Sequence, residues 1–242
     1  MEWVSDAIIL GLRPHGESSA IVEVMTPELG RHLGLVKGAR SRRWQPVLQP
    51  GNSVTVTWRA RLESHLGLFA IELERARAAR LMESAAGVFG VQIVASHLRY
   101  LAEREPHPGL YHAALSLLDN LDNPLQAGAL VARFELMLLE ELGFGLDLTC
   151  CAATGRTDDL VYVSPKSARA VCREAGAPYH DRMLPLPAFL LPDSAAVPDL
   201  DAVQQALHLT GHFLNRHVAE PRAEPLATAR AQLLERIRPQ PA

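Results

Sequence analysis

The sequence predicts an α+β protein with a small β-barrel in residues 1–78 and an α-helical domain in residues 79–242. Two observations predict this division. In residues 1–75, apolar and polar side chains alternate, which is the period of a strand with one buried face. From residue 80 onwards, apolar side chains recur at the spacing of buried helices. A chain of 242 residues is long enough for two modest domains.

Five short strands are predicted in the first domain. The clearest one places Val54, Val56 and Trp58 on one face and polar residues on the other. Turn sequences such as Gln49-Pro50-Gly51-Asn52 separate the strands. The strand number suits a five-stranded oligonucleotide-binding (OB) barrel, although it does not distinguish this fold from an SH3-like barrel. The predicted strands are residues 7–12, 19–26, 31–37, 54–59 and 65–73.

The second domain is predicted to consist of helices around an inserted module. Residues 80–105 lack proline and are typical of one long buried helix. Asn123-Pro124 supplies a capping side chain followed by proline at the first helical position. Residues 145–198 are rich in turn residues, so we expect an irregular module there. The predicted helices are residues 80–105, 109–121, 124–143, 200–217 and 226–237.

A basic window occupies residues 31–61, which contain seven cationic side chains and no acid. The whole chain has a formal net charge of −3, so this is a local excess. Clustered cations attract a phosphate backbone and exposed indoles stack on bases, so nucleic acid is the first partner to consider. A solvated basic face is the alternative interpretation. The predicted DNA-binding residues are Arg31, Lys37, Arg40, Arg42, Arg43, Trp44, Arg59 and Arg61.

The inserted module contains two incomplete Cys-x-x-Cys pairs. Thr154 follows Cys151, and Ala175 follows Cys172, at the position of the second thiol. A structural zinc site needs four Cys or His ligands, so no metal is predicted and the module is expected to be held by packing. Two neighbouring side chains are poor substitutes for the missing ligands: Cys150 and His180.

No catalytic motif is present in the sequence. His208 and His212 share a helix face, as metal ligands can, but Leu209 replaces the glutamate of a His-Glu-x-x-His protease. We therefore interpret these histidines as helix-surface residues. No nucleophile elbow, phosphate-binding loop or dinucleotide-binding motif occurs. Neither an enzyme nor a cofactor is predicted.

The compartment is predicted to be the cytoplasm, in association with the nucleoid. No apolar run approaches the roughly 18 residues of a membrane helix, and no secretory signal is visible at the start. Three cysteines, with Cys150 and Cys151 adjacent, do not make a disulfide framework and favour a reducing compartment.

Several sequence stretches, taken together, resemble the RecO family of bacterial recombination mediators. Their order and spacing carry the resemblance, which covers nearly the whole chain. They are Gly16-Glu17-Ser18-Ser19, Gly30-Arg31, Lys37-Gly38-Ala39-Arg40-Ser41, Arg133-Phe134-Glu135-Leu136, Asp158-Asp159-Leu160-Val161-Tyr162 and Leu184-Pro185-Leu186-Pro187.

The resemblance implies an amino-terminal OB barrel and a helical domain with an inserted module. It also implies binding of single- and double-stranded DNA, annealing of strands coated by single-stranded-DNA-binding protein, and assistance to RecA loading together with RecR. Some family members carry zinc on two Cys-x-x-Cys pairs, and this chain departs from that pattern. Arg133 and Phe134 match the family's Arg-Phe-Glu motif and are the predicted contacts for the acidic tail of the coating protein.

Two other function classes were weighed against DNA repair. The first is a non-catalytic scaffold whose basic barrel docks an acidic peptide. The second is a hydrolase, which would need a nucleophile and a base that the sequence does not offer.

Overall fold

The computed structural model describes residues 1–192 and 194–237, and the remaining residues of the predicted module and helical domain lie outside that description. The first five strands form a closed barrel in the order β1-β2-β3-β5-β4. This confirms the α+β class and the five-stranded barrel. The barrel strands are β1 (Glu2–His15), β2 (Ser19–Thr26), β3 (Gly30–Val36), β4 (Ser53–Arg59) and β5 (Leu68–Arg75).

Strand β1 is much longer than the predicted residues 7–12. Its first half, from Glu2 to Ile8, pairs with β4, and its second half, from Ile8 to His15, pairs with β2. The register shifts between Ile9 and Gly11, which is where one strand bends from one partner to the other. The barrel then closes through a single parallel pairing of Leu35 with Leu68.

The interior of the barrel follows the alternation in the sequence. Val54, Val56 and Trp58 are buried, whereas their polar neighbours on β4 are partly or fully exposed. The Trp58 indole donates to the Leu66 carbonyl at 3.0 Å and stacks on Trp3 at 5.7 Å between ring centroids. The prediction that Trp58 belongs to the core is therefore confirmed.

The single helix predicted over residues 80–105 was wrong, because the structure has two helices there. Helix α1 (Ala78–Met82) stops at Glu83, and Ser84 caps α2 (Ala85–Leu98) by accepting the Gly87 N–H at 2.9 Å. A Cβ on Gly87 would lie 2.1 Å from the Leu81 carbonyl oxygen, so the glycine permits the sharp junction. Helix α3 (Pro108–Asp119) follows.

Contacts within the chain divide it into a unit at Met1–Asp122 and a second unit that starts at Asn123. The sequence places a boundary after residue 78, whereas helices α1 to α3 lie with the barrel. Arg77 explains this, because its guanidinium is bonded to Asp119 at 2.6 Å and is 5% exposed. Asn52 adds to the junction by accepting the N–H groups of Arg77 and Ala78.

The second unit is built on three packed helices. Helix α4 (Pro124–Glu141) packs on α6 (Leu200–Leu214) and on α8 (Thr228–Ile237). Asn123 caps α4 as predicted, accepting the N–H groups of Leu125 and Gln126. Helix α6 continues into a π-helical turn at Asn215–Ala219 and then into the short α7 (Glu220–Arg222).

The inserted module contains a small sheet, which the sequence prediction of an irregular segment missed. Its strands are β6 (Leu160–Val163), β7 (Ala170–Cys172) and β8 (Leu184–Pro185), in the order β7-β6-β8. A single helical turn, α5 (Arg173–Gly176), follows β7. The strands are two to four residues long, which is too short for an alternation to be visible. No helix within residues 1–192 and 194–237 has the length and apolar character of a membrane span.

Candidate nucleic-acid interface

A groove of about 390 Å³ runs along the barrel beside β3, β4 and β5. Four of the eight predicted DNA-binding residues line it, although they come from different parts of the chain. Three are cations and one is an aromatic residue: Lys37, Arg43, Arg59 and Trp44. The groove therefore combines positive charge with an aromatic wall, which is what single-stranded nucleic acid requires.

The loop after β3 brings three of these groups to the groove, namely Lys37, Arg43 and Trp44. The backbone N–H of Trp44 donates to the Ser41 carbonyl at 3.0 Å, and the Trp44 carbonyl accepts the backbone N–H of Leu48 at 2.9 Å. The Trp44 ring is half-buried and packs against the barrel core. The Arg43 guanidinium lies 4.8 Å from the centroid of this ring. This cation–π contact orients Arg43 along the groove wall.

Phe69 is a groove residue that sequence reasoning missed. Its side chain is 6% exposed and lines the groove from β5. The ring lies directly over Gly34, since a Cβ there would be 2.5 Å from the Phe69 Cδ2 atom. A glycine within a strand indicates such a close approach, so Gly34 was the signal available in the sequence.

Two acidic residues from outside the basic window affect the groove: Glu72 of β5 lines it, and Glu2 pairs with its Arg59. Glu2 pairs with Arg59 at 2.8 Å, because β1 and β4 place these residues opposite each other. The hydrogen bond from Arg59 lowers the pKa of Glu2, and the same bond raises the pKa of Arg59. Both side chains are more than half exposed, so the pair contributes little to stability and its arginine can exchange Glu2 for a phosphate.

The other predicted cations differ in whether their side chains are already engaged by the protein. Arg42 and Arg61 are exposed, and Arg42 lies in the same loop as Arg43. Arg40 is exposed too, but its guanidinium donates to the Glu17 carbonyl at 2.9 Å and so holds the turn between β1 and β2. Arg42 can therefore extend the groove, whereas Arg40 is already engaged.

Arg31 does not fit the predicted DNA-binding role. Its side chain is 14% exposed and pairs with Glu23 at 2.7 Å, and it also donates to the Leu101 carbonyl. The register of β2 and β3 places Arg31 opposite Met25, so Glu23 is its diagonal neighbour on the same face. Arg31 therefore holds the barrel together, and the sequence window missed this because Glu23 lies outside it.

Arg133 lies beside a second groove, on the helical unit. Its side chain is exposed, and it donates to the Phe189 carbonyl at 3.1 Å while its guanidinium lies 5.6 Å from the Phe189 ring. The groove measures about 360 Å³ and is walled by Leu130 and by Val197, which is 89% exposed. Phe134, in contrast, is 1% exposed in the core, because it faces inwards on α4, and it does not fit the predicted partner contact.

The incomplete Cys-x-x-Cys pairs do meet in the folded module. Cys151 Sγ accepts the backbone N–H of Cys172 at 3.2 Å, and the Thr154 hydroxyl lies 3.6 Å from Cys172 Sγ. Burial raises the pKa of the Cys151 thiol, but hydrogen bonds from Thr154 and from backbone N–H groups lower it to about 6. These residues do not fit a structural zinc site, because two thiols alone cannot complete a tetrahedral set of ligands. The described part of the chain brings no three His, Cys, Asp or Glu side chains together as metal ligands.

Comparison with known proteins identifies relatives over the whole length of the chain. Residues 1–76 match the family model described as "Recombination protein O N terminal", and residues 90–224 match "Recombination protein O C terminal". The DNA repair protein RecO of Mesorhizobium japonicum is 59% identical over 238 residues, which cover 98% of this chain and 94% of the relative. Those of Sinorhizobium medicae and Brucella abortus (strain 2308) are 59% and 54% identical, covering 95% and 98% of this chain and 92% and 96% of the relatives.

Proposed function

This chain belongs to the recombination protein O family of DNA repair proteins, and on that premise we propose that it binds single- and double-stranded DNA and anneals complementary strands. We propose further that it helps to load RecA on DNA coated by single-stranded-DNA-binding protein, together with RecR, in the cytoplasm and near the nucleoid. The family consists of recombination mediators, so the proposal involves no catalytic step.

The observation that supports DNA binding is the groove on the barrel. Lys37, Arg43 and Arg59 supply positive charge along it, and Trp44 supplies a ring on which a base can stack. None of these groups is held in a geometry that reads base edges, so binding is expected to be independent of sequence.

Annealing follows from the same mode of binding. A protein that holds phosphates and one face of a base leaves the Watson–Crick edges exposed to solvent. A second strand can then pair with the held strand, while the cations of the groove reduce the repulsion between the two phosphate backbones. Neither step needs a nucleophile or a metal ion.

The proposed contact with the coating protein lies at Arg133. An acidic tail that ends in an apolar residue matches the groove beside Leu130 and Val197, and its terminal carboxylate can accept from the Arg133 guanidinium. Arg133 would exchange its present contacts with Phe189 for this carboxylate. We expect Arg133→Ala to weaken binding of the tail peptide about tenfold or more, because a charge-assisted hydrogen bond is lost.

The experiment that tests the function measures binding and annealing side by side. Fluorescence anisotropy with single-stranded, duplex and protein-coated DNA gives the affinities, and annealing of labelled complementary strands gives the activity. An acidic peptide as competitor distinguishes the scaffold alternative, for which peptide binding would persist while DNA binding is absent. A parent protein that binds none of the three DNA forms would overturn the proposal.

A matched control separates the two grooves. Arg133→Ala is compared with Arg182→Ala, since Arg182 is an exposed arginine of the inserted module that does not line either groove. Loss of tail binding with naked-DNA binding intact supports the assignment of Arg133. Equal losses in both variants, or no loss in either, contradict it.

A further inference from the structure

A third cavity, of about 650 Å³, lies in the second unit between helix α6 with its π-helical turn and helix α8. It is distinct from the groove at Arg133, because the two share no lining residue. Its size falls within the range of sites for small ligands. Leu207 and Leu234 supply apolar wall, whereas most other lining side chains are polar.

Polar side chains line the cavity as a stripe along helix α6. Gln204, His208, His212 and Arg216 are spaced four residues apart, so they project from one face of the helix. The Arg216 guanidinium is held in place, because it donates to the Pro165 carbonyl at 2.5 Å. The stripe thus presents an amide, two imidazoles and a guanidinium to the same space.

The opposite wall presents the edge of a second guanidinium. Arg230 is 8% exposed, and its Nε and Nη2 atoms are bonded to Glu135, while Nη1 makes no hydrogen bond among the residues described. Gly211 exposes this edge, because a Cβ there would lie 2.8 Å from Arg230 Nη1 and Nη2. Any other residue at position 211 would therefore press against the arginine.

Two polar atoms of the stripe are buried without a partner in the described structure, namely Gln204 Nε2 and His212 Nε2. A buried donor without a partner is destabilising, so such atoms in a native protein call for a partner that is not part of the chain. Here both atoms belong to residues that line the cavity, and one is an obligatory hydrogen-bond donor.

We propose that this cavity binds a small molecule through a phosphate or carboxylate group. The Gln204 amide, the His212 imidazole and Arg230 Nη1 provide the donors, and the leucines accommodate the body of the ligand. The charged groups around His212 are Arg216, Arg230 and Glu220, with His208 and His217 nearby. Glu135 already offsets the charge of Arg230, and Glu220 partly offsets the charge of Arg216. A bound anion adds further negative charge beside the histidines and so favours their protonated form.

The surroundings of His212 predict that binding of an anion depends on pH. Burial, followed by the charges of Arg216 and His208, lowers the pKa of His212. An anion in the cavity would offset the effect of burial and of the neighbouring positive charges, and would raise the pKa of His212. Binding therefore strengthens as the pH falls through the range in which His212 protonates. A merely structural histidine would show no such dependence on an added anion.

The test uses the full chain and two probes, inorganic phosphate and benzoate. Nuclear magnetic resonance follows the His212 imidazole and the Gln204 side-chain amide during each titration. Saturable shifts with a dissociation constant of about 1 mM or tighter support the proposal, and the probe that binds identifies the head group. If neither probe gives saturable shifts at these two residues, the proposal is overturned.

Variants supply the second measurement. Gln204→Leu keeps the side-chain volume but removes the donor, and His180→Asn changes an exposed histidine outside the cavity as the matched control. We expect the first to weaken binding about tenfold, or about 1.4 kcal/mol, and the second to leave it unchanged. Equal effects in both variants would show non-specific screening and would overturn the proposal. If Gln204→Leu does not fold, the shift in the His212 pKa of the parent on adding the probe decides instead.

Discussion

Reversing the charge of Arg42 and Arg43, in the loop after β3, should change how DNA binding depends on salt. We expect Arg42→Glu combined with Arg43→Glu to weaken binding to single strands and to abolish annealing. The fold should persist, because both side chains are exposed and neither forms a salt bridge within residues 1–192 and 194–237. The change removes two cations from the groove and its edge and adds two acids.

The expected slope follows from the geometry of the groove. Lys37, Arg43 and Arg59 line it and Arg42 is exposed in the adjoining loop, so about four phosphates can be neutralised. On single strands this gives a slope of log K against log salt of roughly −3 for the parent. With two contacts left, the slope of the variant should be no steeper than about −1.5.

The assay is fluorescence anisotropy with a labelled oligonucleotide over a series of salt concentrations. Arg13→Glu combined with Arg182→Glu makes the same change in net charge at exposed residues away from the groove, and serves as the control. Circular dichroism shows whether each variant is folded. A folded variant at positions 42 and 43 that keeps the slope and the annealing rate of the parent would refute the assignment of the groove.

Three further predictions rest on other contacts. Glu2→Gln should tighten binding to single strands, measured in the same assay, because Arg59 loses its competing acid; unchanged or weaker binding contradicts this. Thr154→Cys combined with Ala175→Cys should bind about one zinc per chain by elemental analysis, whereas the parent should hold none, because only the variant has two complete Cys-x-x-Cys pairs; zinc in the parent, or none in the variant, contradicts this. Burial lowers the pKa of His32 to about 4, so the folded state resists protonation and thermal stability should fall as the pH drops from about 6.5 towards 4. His32→Phe should reduce that loss of stability. If the loss at acidic pH is unchanged in this variant, other groups cause it.

Much of the barrel was predictable because strands such as β3 and β4 bury one face and leave the other partly exposed. The alternation on β4 placed Trp58 in the core correctly, and the Asn123 cap located the start of α4. The break at Ser84 was not predictable from periodicity, since Glu83 and Ser84 interrupt the apolar residues for only two positions. The three-stranded sheet of the module was also missed, because its strands are too short to show a period.

The candidate site was only partly predictable. Charge and aromatic content identified Lys37, Arg43 and Trp44, which lie together on one loop. Strand pairing determines which acidic residue each of the other cations meets, and this pairing cannot be read from a window of the sequence. Glu2 reaches Arg59 across β1 and β4, and Glu23 reaches Arg31 across β2 and β3. Long-range register therefore separates a cation that lines the groove from one that holds the barrel together.

The buried pair of Glu135 and Arg230 holds the helical unit together without help from the inserted module. The two residues lie on α4 and α8, on either side of the module, and Thr210 on α6 donates to the same carboxylate. Removing one partner of such a buried pair costs about 3–5 kcal/mol, so the three helices are fixed independently of the segment between them. The module leaves the end of α4 and returns at the start of α6, and these two helices pack on each other. The helical unit is therefore held without a cross-link inside the module, so substitutions at Thr154 and Ala175 should leave its three helices in place.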